Sequence, residues 1–516
     1  MKTFVSASAI ALAFAAGTPE AFAADLPARP WAVAPAPPLT NWTGFYVSGG
    51  FGYGMWTADT TTLIPTTGVC DLCVPQRQGG RGWLGTVGVG FDYQANLGLP
   101  WVFPTVFGAF ADFDFASLKG TIQDQGPFFA GETKLNRAWS AGARAGWLAT
   151  PSTMTYVNGG FTEAHFTSAH MGFTFPTSRI LTFSTPAFSK GGWFIGGGVE
   201  TTFPNLLPGL FWRTEYRYAD YGTRTLTDTS SSGVVEDNIT FHPIVQTIRS
   251  ELVYKFNWAA TAGAYAADVS ARPYVSAPTA RPVANWTGLY VNGGFGYGMW
   301  TADTTTVSPT TGVCSLCVPQ RQGGRGWLGT IGGGFDYQAQ MGLPWIYPTV
   351  FGAFADVDFA SLKGTIQDQT PIFAGETKLD RAWSVGGRAG WVVTPGTMTY
   401  ANGGYTQAHF TSAQMVELLP GSGATAFSTP AFSKGGWFIG GGVETTFPNL
   451  LPGLFWRTEY RYADYGTRTL TDTAPGGALI PVQGVGLFPN PQNSITFHPI
   501  VQTIRTELVY KFDWLR

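Results

Sequence analysis

The chain is an internal duplication. Residues 183–229 recur without a change at 427–473. The openings are nearly the same, NWTGFYVSGGFGYGMWTADTTT from Asn41 and NWTGLYVNGGFGYGMWTADTTT from Asn285. The closings match too, FHPIVQTIRSELVYKFNW from Phe241 and FHPIVQTIRTELVYKFDW from Phe497. Such a repeat is far longer than a solenoid or propeller unit and has the size of a domain. The sequence therefore predicts two copies of one complete fold.

Composition favours strands over helices. Only 12% of the 516 residues are charged, 15% are aromatic and 68 are glycine. Strand-forming residues dominate, and good helix formers are sparse. A formal net charge of −2 offers no basic surface for nucleic acid. No apolar run reaches the length of about 18 residues expected of a transmembrane helix.

The N-terminus has the pattern of a secretory signal. Lys2 precedes a short apolar stretch at 5–17, and the small residues of an A-x-A site end at Ala23. Cleavage is predicted between Ala23 and Ala24. The domain order predicted from composition and repeats is 1–23 signal peptide, 24–40 Pro/Ala-rich segment, 41–258 first barrel, 259–284 Pro/Ala-rich periplasmic linker and 285–516 second barrel.

Each copy divides into eight predicted strands, which in the first copy are 43–58, 81–96, 102–122, 132–150, 154–169, 184–203, 210–227 and 238–256. The connections alternate between long or irregular (59–80, 123–131, 170–183 and 228–237) and short turns rich in Pro and Gly. A barrel in the outer membrane places its long loops at one end and its short turns at the other.

The alternation within strands suits such a barrel. Trp212, Thr214 and Tyr216 share one face of a strand, and Arg213 and Glu215 share the other. Small and charged residues inside an aromatic exterior favour a membrane barrel. A soluble β-sandwich, which alternates with its apolar face inward, is the alternative. The predicted fold class is all-β, with two tandem eight-stranded antiparallel transmembrane β-barrels.

The inward faces carry a set of charges that is close to balance. We predict that they pair and plug each lumen, because an unpaired buried charge is costly. A selective ion path, the alternative, would favour a ring of one sign. The residues of this predicted network are Asp92, Asp112, Asp114, Arg144, Glu200, Arg213, Glu215, Arg217, Arg249, Glu251 and Lys255 in the first copy, and Asp336, Asp356, Asp358, Arg388, Glu444, Arg457, Glu459, Arg461, Arg505, Glu507 and Lys511 in the second.

Each copy has one C-x-x-C pair in its first long connection, Cys70 with Cys73 and Cys314 with Cys317. Four cysteines in so long a chain do not make a disulfide scaffold. A local disulfide that stiffens each loop is the main interpretation. A shared zinc site, a redox pair and free thiols are the alternatives.

No catalytic constellation is evident. The chain shows no convincing triad, phosphate-binding loop or zinc signature. Its histidines are interpreted as polar rim residues, with haem or metal ligation as the alternative; they are His165, His170, His242, His409 and His498. We expect no enzyme activity, no cofactor and no metal site.

Three segments together resemble a known family. They are NWTGFYVSGGFGYG, the box RTEYRYADYG from Arg213, and the closing strand TIRSELVYKF from Thr247. They resemble the alphaproteobacterial outer-membrane immunogenic proteins, a branch of the OmpA-like, opacity-type eight-stranded barrels. The resemblance covers both copies. It implies a Gram-negative outer-membrane location, insertion by the barrel-assembly machinery and surface loops that act as antigens.

The function expected from the sequence is structural and surface-interactive. The expected partners are outer-membrane lipid and lipopolysaccharide, the barrel-assembly machinery, and host or environmental ligands at the loops, with no nucleic acid. Since eight is even, both termini are expected in the periplasm and the long loops outside. The alternatives are porin-type passive transport of small solutes, through two small pores or one sixteen-stranded barrel, and haem or metal capture by the loops.

Overall fold

The computed structural model describes residues 42–68, 75–95, 105–124, 129–150, 152–174, 180–202, 207–256, 285–307, 319–339, 349–369, 372–394, 396–417, 425–446, 451–473, 480–482, 486–488 and 494–512. Within these ranges the chain is built from antiparallel strands, which confirms the all-β prediction. The described ranges contain no helix with the length and apolarity that a membrane crossing requires.

The strands of the first copy close into a ring. They are β1 (Gly44–Leu63), β2 (Gln76–Ala95), β3 (Thr105–Asp124), β4 (Phe129–Thr150), β5 (Thr153–Phe166), β6 (Ala169–Thr174), β7 (Ile180–Thr185), β8 (Phe188–Thr202), β9 (Leu210–Asp220), β10 (Arg224–Ser230) and β11 (Val235–Phe256). Pairing runs β1–β2–β3–β4–β5–β8–β9–β11, and residues 238–256 of β11 pair with β1. A closed ring leaves none of these eight strands with an open edge, as a strand sheet in lipid requires.

The second copy repeats the ring. Its strands are β12 (Gly288–Val307), β13 (Gln320–Ala339), β14 (Thr349–Gln369), β15 (Ile372–Thr394), β16 (Thr397–Phe410), β17 (Ala413–Glu417), β18 (Thr425–Thr429), β19 (Phe432–Thr446), β20 (Leu454–Asp464), β21 (Arg468–Thr471), β22 (Ile480–Val482), β23 (Gly486–Phe488) and β24 (Ser494–Lys511). Here β24 returns to β12, and among the described residues β22 pairs with β23 alone. The first and last strands of each copy thus pair with each other.

The structure extends several strands beyond the sequence boundaries. The connection predicted at 59–80 is shorter, because β1 continues to Leu63 and β2 begins at Gln76. The connection predicted at 170–183 carries the β6–β7 hairpin. Three predicted strands are each split in two, at 167–168, at Pro186 and at Gly222. Proline has no backbone N–H for a ladder, and Gly222 has a φ of 62°, which glycine adopts without strain.

Each barrel has two ends. We call the end where β2 connects to β3, β4 to β5 and β8 to β9 in the first copy the short-turn end, and the opposite end the long-loop end.

The outward faces of the barrel strands between these ends are apolar and exposed. Phe51, Trp83 and Ile195 expose more than half of their surfaces in the first copy. Aromatic and aliphatic residues in that position are what a lipid-facing wall requires.

The inside of each barrel is not uniformly small and charged, contrary to the sequence prediction. Toward the long-loop end it is filled by large apolar side chains. Trp56 is fully buried and packs edge-on against Phe166 and Phe241. Phe166 stacks on Phe188 at 5.2 Å between ring centroids. The short alternating sequence patterns around these residues do not show whether an aromatic side chain faces lipid or fills the lumen. For this reason the sequence did not predict the apolar part of the interior.

Candidate functional site: the charged lumen

Strand geometry aims the predicted charges into the lumen. On β9, Arg213, Glu215 and Arg217 stand at alternate positions and are each at most 5% exposed, whereas Trp212, next to Arg213, is 49% exposed. Successive side chains of a strand point to opposite faces, so one strand supplies both lipid contact and lumen charge. The predicted facing of this strand is confirmed.

Glu200 is the centre of the cluster near the short-turn end. Its Oε2 lies 2.9 Å from Nη1 of Arg144 and 2.9 Å from Nη2 of Arg213, and its Oε1 lies 2.9 Å from Nζ of Lys255. Oδ2 of Asp92 lies 2.7 Å from Nζ of Lys255. The two carboxylate oxygens of Asp92 also accept hydrogen bonds from Nε and Nη2 of Arg144. Two carboxylates from β2 and β8 therefore bind three cations from β4, β9 and β11.

Asp112 is the centre of a second cluster, nearer the middle of the barrel. Its Oδ1 accepts hydrogen bonds from Nη1 of Arg217 at 2.9 Å and from Nη1 of Arg249 at 3.2 Å. Arg249 also donates to Oδ2 of Asp114 at 2.5 Å, and Arg217 pairs with Glu215. All five side chains are buried or nearly so, and their pairing offsets the free-energy cost of burying the charges.

Two neutral side chains join the clusters. Tyr156 and Asn158 each donate to Oε2 of Glu215 at 2.7 Å. Arg213 pairs with Glu251 at 3.2 Å. With these contacts, every charged lumen residue predicted for the first copy has an oppositely charged partner inside the barrel.

Aromatic rings inside the lumen were missed from the sequence. The ring of Tyr46 lies between two guanidinium groups, with Cζ of Arg144 and Cζ of Arg213 each 4.9 Å from its centroid. Nζ of Lys255 lies 4.7 Å from the ring of Trp42. Cation–π attraction is strongest where the cation is desolvated, as it is here. The signal was present, since Tyr46 alternates with the exposed Phe45 and Val47.

The second copy repeats the arrangement almost atom for atom. Glu444 binds Arg388, Arg457 and Lys511, and Asp356 binds Arg461 and Arg505. The remaining pairs are Arg388–Asp336, Lys511–Asp336, Arg457–Glu507, Arg461–Glu459 and Arg505–Asp358. Asn292, which replaces Ser48 of the first copy, donates to Glu507 at 3.1 Å.

Little empty space is left around these charges. Beside Arg217 and Arg249 the first lumen has a cavity of about 20 Å³, and beside Arg461 and Arg505 the second has one of about 30 Å³. Each volume is on the scale of a single water molecule. The Trp56 and Trp300 clusters close the interior on the long-loop side of the charges.

Several predicted site residues lie outside the described residues. They are the signal-cleavage pair Ala23 and Ala24 and the four cysteines Cys70, Cys73, Cys314 and Cys317. The interpretations given for them stay predictions.

His165, His242 and His498 have polar neighbours. Nε2 of His242 lies 2.8 Å from Oδ1 of Asp220, and His498 repeats this contact with Asp464. Nδ1 of His165 lies 2.7 Å from Oδ1 of Asn136. In the described part of the chain no group of three or more His, Cys, Asp or Glu side chains is arranged to hold a metal ion.

Comparison with solved structures finds matches of low similarity. A Pseudomonas aeruginosa FadL homologue aligns over 91% of both chains with 8% identity and a TM-score of 0.26. Neisserial surface protein A aligns over 40% of this chain and 99% of its own, with 14% identity and a TM-score of 0.18.

Sequence comparison is more specific. Residues 9–256 match the family model of the outer membrane protein beta-barrel domain. The 31 kDa outer-membrane immunogenic proteins of Brucella melitensis and Brucella suis are each 31% identical over 269 residues, which is 50% of this chain and 100% of theirs. These relatives point to the same kind of protein as the closed rings and the lipid-facing walls. The chain belongs to the outer-membrane β-barrel family that includes the outer-membrane immunogenic proteins.

Proposed function

We propose that the protein is a non-conducting barrel pair with a structural and surface-interactive role in the outer membrane. Its lumens are plugged, its walls contact outer-membrane lipid and lipopolysaccharide, and its long-loop ends present variable segments to the surroundings. The barrel-assembly machinery inserts it. No step of this role involves catalysis.

The filled lumen is the observation that carries the proposal. A transport path needs a continuous aqueous channel or a series of weak sites. Here acids and bases pair across the lumen, and the cavities beside them hold about one water molecule each. Opening a path would separate several buried ion pairs at once, which is energetically prohibitive for a passive pore.

Conductance in planar bilayers tests the plugged lumen. The folded protein is expected to give no stable current steps, while a general-diffusion porin reconstituted in the same bilayers gives them. Stable openings of porin size from the folded chain would overturn the proposal and favour passive transport.

The orientation is part of the proposal. We place the termini in the periplasm and the long-loop ends outside, because the divergence between copies is concentrated there. HMGFTFPTSRIL from His170 stands against QMVELLPGSGAT from Gln414. Segments that contact changing partners tolerate such change, whereas the barrel wall does not.

Surface labelling tests the orientation. An epitope inserted after Ser231, in the turn between β10 and β11, is expected to bind antibody on intact cells. The matched control is the same epitope inserted after Asn205, between β8 and β9, which is expected to bind only after the outer membrane is permeabilised. The reverse pattern would invert the proposed orientation.

A further inference from the structure

The outer walls of the two barrels contact each other through the seam, which we define as Tyr53, Met55, Thr57, Asp59, Arg77, Gly79, Arg81, Tyr218 and Ile244 with their counterparts Tyr297, Met299, Thr301, Asp303, Arg321, Gly323, Arg325, Tyr462 and Ile500. We propose that the seam is a self-recognition surface: the barrel walls themselves, and not the linker, hold the copies together, and the partner that this surface fits is a second copy of the same barrel. The inference is independent of the function proposed above.

Ion pairs cross the seam in both directions. Nη2 of Arg81 lies 2.5 Å from Oδ2 of Asp303, and Nη2 of Arg325 lies 2.5 Å from Oδ2 of Asp59. Each aspartate also binds an arginine of its own barrel at 2.6 Å, Arg77 in the first copy. The side chains of Arg81 and Arg325 are only 10% exposed, and burial raises the energy of their charges, so each needs the opposite charge that the other wall carries.

Neutral hydrogen bonds repeat the same reciprocity. The backbone N–H of Arg77 donates to Oγ1 of Thr365, and that of Arg321 donates to Oγ1 of Thr121, each at 2.8 Å. Gln78 and Gln322 form a single β-bridge between β2 and β13. Each contact that a residue of the first copy makes with the second copy is therefore repeated with the two copies exchanged. This is the pattern of a two-fold symmetric interface.

Apolar and aromatic side chains fill the seam between the polar contacts. Met55, Ile244, Met299 and Ile500 are buried together. The ring of Tyr53 meets that of Tyr462 edge-on at 5.6 Å, and Tyr218 meets Tyr297 at 5.7 Å. These pairs are again related by the exchange of the two copies.

The position of Arg81 shows why this wall must be covered. It points outward two residues from Trp83, which is 67% exposed on the lipid-facing wall, yet its own side chain is only 10% exposed. An uncovered arginine on such a wall costs free energy that rises toward the middle of the bilayer. Its guanidinium donates hydrogen bonds to the other barrel, at Thr301 and Asp303.

The two copies differ in sequence on the lipid-facing wall but not at the seam. The lipid-facing residues Phe45, Val87 and Val89 have become Leu289, Ile331 and Gly333. The residues that define the seam are the same in both copies at every position. A surface that contacts only lipid tolerates exchange of apolar side chains, whereas a self-complementary surface must keep both sides matched.

Cleavage of the linker tests whether the barrel walls or the linker hold the two copies together. A recognition sequence for a specific protease is placed within 259–284 of the full chain, and an affinity tag is placed on one half. After cleavage of the folded protein in mild detergent, the untagged barrel is expected to co-purify with the tagged one. Separation of two folded halves would show that only the linker joins them and would overturn the proposal.

Glycines on β2 and β13 supply a matched pair of variants. A Cβ on Gly79 would lie 2.7 Å from Cγ2 of Thr301 and 2.8 Å from the backbone oxygen of Gln322, and Gly323 repeats this against Thr57 and Gln78. A Cβ on Gly85 would meet nothing closer than 3.9 Å. Gly79→Val with Gly323→Val should therefore lower recovery of the untagged half at least about tenfold, a loss of about 1.4 kcal/mol. Gly85→Val with Gly329→Val should leave it as in the wild type.

A second disruption acts through charge. Arg81→Asp with Arg325→Asp sets like charges against Asp303 and Asp59 and is expected to separate the cut halves as well. Folding of each barrel is checked in the uncut chain by its heat-modifiable gel mobility. If one disruptive variant fails to fold, the other decides. Cut halves that stay paired in a folded disruptive variant would overturn the assignment of the seam.

Discussion

Nη1 of Arg144 lies 2.9 Å from Oε2 of Glu200 inside the first barrel, and neither side chain exposes more than 1% of its surface. Glu200 shares its two oxygens with Arg213 and Lys255 as well. A single carboxylate that neutralises three buried cations makes the stability of the barrel sensitive to one negative charge.

Removal of that charge should destabilise the first barrel strongly. Glu200→Gln keeps the side-chain volume but leaves three cations against Asp92 and Glu251 alone. The free energy of unfolding should fall by about 3–5 kcal/mol, the usual cost of breaking a buried pair. Urea unfolding in detergent micelles, followed by tryptophan fluorescence, measures the loss, and Glu444→Gln should reproduce it in the second barrel.

Glu132→Gln is the control with the same chemical change. Glu132 lies 3.2 Å from Lys119, and both side chains are more than half exposed. Solvent screens this pair, so the free energy of unfolding should change by less than about 0.5 kcal/mol. Equal effects of the two substitutions would contradict the role given to burial.

The ring of Tyr46, and not its hydroxyl, should matter for the stability of the lumen. Both guanidinium contacts are with the ring face, at 4.9 Å. Tyr46→Phe should leave the free energy of unfolding nearly unchanged, whereas Tyr46→Leu should lower it by about 2 kcal/mol through loss of two desolvated cation–π contacts. A large effect of the phenylalanine variant in the same urea titration would point to an unrecognised role of the hydroxyl.

The sequence predicted which side chains of β9 face the lumen. Alternation with Trp212 was enough to place Arg213 and Glu215 inside, because side-chain direction in a strand has a period of two. Which acid pairs with which base could not be predicted, since some partners come from strands distant in sequence. Lys255 and Asp92, for example, meet only after β11 closes the ring onto β1.

The seam was missed for a physical reason. Its arginines fall in or beside a segment interpreted as a loop, where an outward charge needs no explanation. With β2 beginning at Gln76, Arg81 instead points out of the lipid-facing wall beside Trp83. An outward charge next to an aromatic belt signals that another protein surface covers it. Trp56 was missed similarly, because its neighbours alternate like those of a lipid-facing tryptophan.

Close packing between neighbouring strands should make some glycines irreplaceable. A Cβ on Gly196 would lie 2.4 Å from the backbone oxygen of Tyr216 and 2.6 Å from Oδ1 of Asn158. Gly196→Ala should lower the free energy of unfolding by about 1–3 kcal/mol through overpacking. Gly85→Ala, with free space around it, should be neutral or raise it by up to about 1 kcal/mol. If urea titration ranks the two variants in the opposite order, the neighbouring strands are not packed closely around Gly196.

The hairpin of β10 and β11 at the long-loop end should respond to pH. Beyond Ile244 the outward positions of β11 are polar, at His242, Thr240 and Asn238, so this part lies past the lipid-facing wall. There the backbone N–H of Asp237 donates to Oδ1 of Asp228 at 2.7 Å. Burial, and then the charge of Asp124, raises the pKa of Asp228 to about 7 and that of Asp237 to about 7.

The direction of the pH effect follows from these shifts. Below pH 3.8, the ordinary value for aspartate, both carboxyls are protonated in the folded and unfolded hairpin, and the hairpin has its full stability. As the pH rises toward 7, only the unfolded form ionises readily, so the hairpin loses stability over this window, and the loss levels off above it. Hydrogen exchange of residues 224–240, corrected for intrinsic rates, should therefore show protection that falls between pH 4 and 7. Asp237→Asn should flatten the dependence, as should the second copy, where Asn493 takes the matching place in the sequence. Constant protection of the wild-type hairpin across that window would mean that these carboxyls titrate in the folded protein as they do in the unfolded chain.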